Sequence, residues 1–187
     1  TCRGSRFKDG IEIEKEIPLP DGTIWYKPKD SEEYTILRQH KFREWWRKWH
    51  TDVLHDEFMN PIVPNRYDTG FIVKNCNTQI LSILEPWCDD IYVDCDYNSY
   101  VDAENEKSEY DINKRVHSIH SDVTNKIQIR FDATQLKNQH FTEFIKQLPF
   151  IIEETGETGS FNWDIFEINI ISLKEVDMIQ PHFKNVF

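Results

Sequence analysis

The sequence predicts an α/β (or α+β) fold: one layered domain with a βαβ core and an N-terminal hairpin-plus-helix appendage. Three observations carry this. A chain of 187 residues is the size of one domain, or one domain with a short appendage. Phe71-Ile72-Val73 and Ile91-Tyr92-Val93 are short apolar runs, as buried strands require. Between them Ile80, Leu81, Ile83 and Leu84 keep helical spacing and stop at Pro86. The two runs are therefore expected as adjacent parallel strands joined by a helix at 78–86.

Residues 11–28 read as a hairpin. Ile11, Ile13 and Ile17 precede a Pro20-Asp21-Gly22 turn, and Thr23-Ile24-Trp25-Tyr26 returns. Asp30 or Ser31 can cap a helix running to about 50, which carries Tyr34, Leu37, Phe42, Trp45, Trp46 and Trp49. Asn60-Pro61 and Pro64-Asn65 mark an irregular crossing over 52–68. This suggests an appendage, 1–66, and an acidic α/β domain, 67–187. The turn at 74–78 has no Gly, which argues against dinucleotide binding there. Residues 97–124 read as a polar loop with a short helix in part of it. Ile127, Ile129 and Phe131 alternate as a half-buried strand. A helix follows with Phe141, Phe144, Ile145 and Leu148, which Pro149 ends or kinks. Gly156 and Gly159 frame a turn, and the phase shift at Ile165-Phe166 marks a bulge or a strand end.

Net charge is −11, from 22 Lys+Arg against 33 Asp+Glu. Residues 1–66 are balanced, so 67–187 hold the whole excess. Such a surface repels phosphate and disfavours nucleic acid, while it attracts a basic protein or a divalent cation. No stretch is long and apolar enough for a membrane span. Cys2, Cys76, Cys88 and Cys95 form no C-x-x-C pair and no disulfide framework. The expected setting is cytoplasmic or another reducing compartment, with a virion as the alternative. The start at Thr1, without Met, is expected of a processed chain or a fragment.

Arg38, Lys41, Arg43, Arg47 and Lys48, interleaved with Trp45, Trp46 and Trp49, form an aromatic-basic helix that is the candidate partner-binding surface. It could stack bases, pack with its cationic stems snorkelling, or dock the chain's own acidic half or a neighbouring copy. His50 and His55, and His117 and His120, are pairs short of a full ligand set. Nucleophile elbows, P-loops and kinase motifs are absent.

Asp94-Cys95-Asp96 follows an apolar run, where two carboxylates one residue apart can share a cation. The stretch 90–96 resembles the D-x-D segment of metal-dependent nucleotide-sugar glycosyltransferases. Residues 45–62, an aromatic-basic helix followed by Asp56-Glu57 and a Pro-hydrophobic step, are similar to a segment of family-two glycosyltransferases. The resemblance implies that Asp94 and Asp96 hold Mn²⁺ or Mg²⁺ against a sugar-nucleotide diphosphate. The isoleucine, asparagine and lysine bias resembles proteins of AT-rich genomes, including many phages. Two function classes follow. The first is a non-catalytic protein-interaction or structural protein without a cofactor, binding a protein partner or itself. The second is a metal-dependent glycosyltransferase or a fragment of one.

Overall fold

The computed structural model describes residues 6–8, 11–18, 22–28, 32–62, 64–175, 182 and 184. Two compact units result, Thr1–Phe42 and Arg43–Phe187. The division falls inside a helix, 24 residues before the expected 66/67 boundary, and gives residues 43–66 to the α/β unit.

The first unit carries strands β1 (Arg6–Lys8), β2 (Ile11–Pro18) and β3 (Ile24–Pro28). They form an antiparallel sheet in that order. The expected hairpin is the β2–β3 pair, with Ile17 opposite Trp25 and Pro18 opposite Ile24. Of its turn, Pro20 and Asp21 lie outside the described residues, as do the helix-cap candidates Asp30 and Ser31; Gly22 has a φ of +84°, a conformation that favours glycine. Helix α1 (Glu32–Trp49) opens on Glu32 and Glu33 and closes on Arg47 and Lys48. Each charge thereby opposes the partial charge of its own helix end.

The α/β unit begins with the two-residue strands β4 (Leu54–His55) and β5 (Pro61–Ile62). Next come β6 (Thr69–Lys74), helix α2 (Thr78–Leu84) and β7 (Asp90–Val93). Helix α3 (Asn98–Asn105), β8 (Val116–Ser118) and β9 (Ile127–Asp132) follow. Helices α4 (Asn138–Glu143) and α5 (Leu148–Thr155) then lead to β10 (Gly159–Trp163) and β11 (Phe166–Ile170). Among the described residues, six strands form one sheet in the order β10-β11-β9-β6-β7-β8. The central β9-β6-β7-β8 block is parallel. At one side it continues into the antiparallel hairpin β10–β11.

Phe71 pairs with Ile91 and Val73 with Val93, so the expected strand-helix-strand unit is present. Strand alternation sends every second residue to one face. Phe71, Val73, Ile91, Val93, Ile129, Phe131 and Phe166 share a buried cluster with Leu81, Leu84, Trp87, Val101, Phe144 and Leu148. Phe144 stacks on Phe166 at 4.0 Å, and Trp87 meets Phe141 edge-on. Helices on both sides of the sheet's midline therefore pack on the same face. Lys74, Arg130, Asp132 and Glu167 occupy the alternate positions, on the opposite face.

Pro149 starts a helix instead of ending one. It sits in the first turn of α5, where its missing N–H is no loss. Gly156, with φ +61°, caps the other end. The phase shift at Ile165-Phe166 is a strand end: Asp164, with φ +51°, turns β10 into β11.

Candidate functional site

The crossing at 52–68 contains an ordered projection. Leu54 pairs with Ile62 and His55 with Pro61. Between them the Asp56 carboxylate organises the turn. Its Oδ1 accepts from the N–H of Phe58 at 2.9 Å and of Asn60 at 2.8 Å, and its Oδ2 accepts from Asn60 Nδ2 at 2.9 Å. Two backbone bonds close the ring: Asp56 N–H to the Asn60 carbonyl, and Met59 N–H to the Asp56 carbonyl. The hydrogen bonds from Asn60 hold the Asp56 carboxyl below its usual range, so the turn keeps this charge. At the tip, Phe58 is 75% exposed and Met59 69%. Val53 and Ile62, at the base of the hairpin, are exposed as well. Four large apolar side chains thus face water within ten residues, on a turn held by five hydrogen bonds. Isolated exposed apolar residues are ordinary; contiguous ones mark interaction surfaces.

The nominated aromatic-basic residues are used differently. Arg47 is fully buried. It reaches Glu85 at 2.7 Å, Glu104 at 2.6 Å and Glu44 at 2.7 Å. Arg115 donates to Glu85 at 2.6 Å and to the Cys88 carbonyl at 2.6 Å, and the Tyr100 hydroxyl adds a bond to Glu85 at 3.0 Å. Arg43 binds Glu104, the Ser82 carbonyl and Tyr100. Burial opposes every one of these charges, yet mutual attraction prevails: Arg47 and Arg115 hold Glu85 well below the carboxylate range, and Glu85 holds Arg47 above its own. Trp46 stacks on Trp87 at 4.8 Å and donates to Asp52. Trp45 donates to the Thr51 carbonyl, and Lys48 lies over the Trp49 ring at 4.8 Å. Arg43, Trp46 and Arg47 thus dock the unit's own acidic residues and core, one of the roles open to this helix in the sequence. Arg38 and Lys41 are exposed in the first unit.

Asp94 and Asp96 each bind backbone. Asp94 accepts from Asn75 N–H at 2.7 Å and Cys76 N–H at 2.9 Å, clamping the turn that leaves β6 to the end of β7. Asp96 accepts from Asn98 N–H at 3.0 Å at the start of α3. Among the described residues, no three His, Cys, Asp or Glu side chains are grouped to hold a metal ion. His117 meets Asp90 at 3.0 Å and stacks on Tyr92, and His182 reaches the same Asp90 oxygen at 3.4 Å.

On the sheet face opposite the helices lies an open cavity of about 340 Å³ lined by Ile72, Lys74, Arg130, Asp132, Gln135 and Glu167. Asp132 is engaged by Asn75 Nδ2 and by Thr134, and Arg130 reaches Gln128. No helix of the described residues is long and apolar enough to cross a membrane. Compared with known proteins, the chain matches no family model, no curated protein and no solved structure.

Proposed function

We propose that the chain is a non-catalytic protein-interaction protein whose α/β unit docks through the hairpin tip at 54–62. The observation that carries this reading is the exposure of Phe58 and Met59 on a turn ordered by Asp56 and Asn60. A turn already held in one conformation loses little entropy when it docks. Asp56 and Glu57 flank the apolar pair, and residues 67–187 hold all of the net negative charge. The complementary partner is a protein with an apolar pocket rimmed by Lys or Arg. A second copy of this acidic unit is the poorer fit, because like charges would meet.

Burying a Phe and a Met contributes about 3–6 kcal/mol together, or about 10²–10⁴-fold in affinity. The test compares affinity capture by the full chain, a Phe58→Asp, Met59→Asp double variant and an Ile83→Asp control at another exposed apolar position. A stoichiometric partner retained by wild type and control and lost by the double variant is the expected result. Identical captured sets from all three would overturn the reading.

A further inference from the structure

Cys76 and Cys95 leave the C-terminal ends of adjacent parallel strands. The pairing of β6 with β7 runs to Val73 opposite Val93, so the two cysteines stand three and two residues beyond the same rung. Asp94 then draws the β6 turn inward: its carboxylate holds the amide of Cys76 itself, and Cys95 is the next residue along. Both side chains are half-buried and pack against the core. The contact registers in their chemistry, since each thiol perturbs the other's ionisation. Cys88 differs: it is fully buried beneath α2, with its sulfur directed at the carbonyls of Leu84 and Glu85.

We infer that Cys76 and Cys95 form an oxidation-sensitive pair that closes into an intramolecular disulfide on exposure to a low-molecular-weight disulfide. The thiolate of Cys95 attacks one sulfur of the small disulfide, whose S–S bond breaks and releases one thiol. The thiolate of Cys76 then attacks the Cys95 sulfur of that mixed disulfide and expels the second thiol. Two protein S–H bonds are lost, one S–S bond forms, and the small disulfide is reduced to two thiols that take up the two protons. Burial raises both thiols, but Cys95 is the first nucleophile because a hydrogen bond from Cys76 offsets part of its rise, whereas burial pushes the Cys76 thiol up to about 12. Closure therefore accelerates as pH rises from about 7 to about 9.

The test treats the full chain with oxidised glutathione and maps it by mass. Trypsin leaves Cys76, Cys88 and Cys95 in one peptide, 75–107. Cleavage before Asp89 and Asp90 separates Cys95 from the other two. The expected result is loss of two hydrogens, fragments that stay joined until reduced, and Cys88 alkylated as a free thiol after unfolding. Cys76→Ser and Cys95→Ser each abolish the link, while Cys2→Ser leaves it. A loop of about 20 residues closed this way raises Tm by about 5–10 °C. Glutathione adducts that persist on either cysteine without ring closure, or a link to Cys88 or Cys2, would overturn the inference.

Discussion

The Glu85 cluster and the cavity on the far face of the sheet are built from the same residue types and end in opposite states. Around Glu85, Arg47 and Arg115 are fully buried, and every carboxylate oxygen of Glu85 has a cationic partner. On the far face, Lys74, Arg130 and Glu167 remain exposed. Removing water makes each buried charge depend on its partners, because an uncompensated ion inside a protein is far more costly than one outside. Formal charge is thus a poor guide to role. Burial decides whether an Arg holds the fold or stays available to a ligand.

The largest effect is expected from Glu85→Gln. It leaves Arg47 and Arg115 buried without their shared anion and costs about 3–5 kcal/mol. Equilibrium urea unfolding measures this, and an unchanged midpoint would mean that the cluster is not sealed. Acid acts on the same group. Its folded-state pKa is depressed, so the unfolded chain binds the proton more readily. Its contribution is then complete above about pH 4.5 and declines as pH falls below that value. In Glu85→Gln the acid limb of the urea midpoint is expected to flatten. Next in size is Gly70→Ala. An added Cβ would lie 2.7 Å from Asn125 Cγ, and Asn125 is fixed by Asp68, Asp90 and Tyr92. About 1–3 kcal/mol is expected, read from the same unfolding curves. The smallest effects belong to the open face: Lys74→Ala or Glu167→Gln is expected to stay within about 0.5 kcal/mol of wild type. A larger change there would erase the contrast between the two regions.

The parallel core was legible because its runs are apolar in both strands and because α2 carries four apolar residues at helical spacing. The charge cluster was not. Arg47 and Glu85 read locally as surface residues, since sequence does not show that α1 brings one over the other across 38 positions. A faint signal existed: Glu85 sits directly between Leu84 and Pro86-Trp87, and Arg115 directly before Val116. A charge embedded in an apolar run is a candidate for burial. The hairpin at 54–62 was hidden by Pro61 and Pro64, which punctuate strands. Its strands are two residues long and provide no alternation to detect. The Asp56-to-Asn60 spacing was its one visible mark. Asp94 reads from the sequence as a metal ligand beside Asp96, and nothing in its local pattern shows that its oxygens accept from the backbone amides of Asn75 and Cys76.

The Glu85 cluster also imposes an order on folding. Arg47 reaches Glu85 over 38 residues and Ser108 over 61, and Arg115 reaches Glu85 over 30. None of these pairs is favoured while water still solvates its members, so the charges come together only as the surrounding core excludes water from them. Contacts this distant in sequence slow the search for the native arrangement. During synthesis, a nascent chain that has not yet reached residue 115 holds Glu85 without one of its two main cations. The α/β unit is expected to acquire its full cooperativity only after Arg115 has left the ribosome, and chains truncated before that point to remain sensitive to protease.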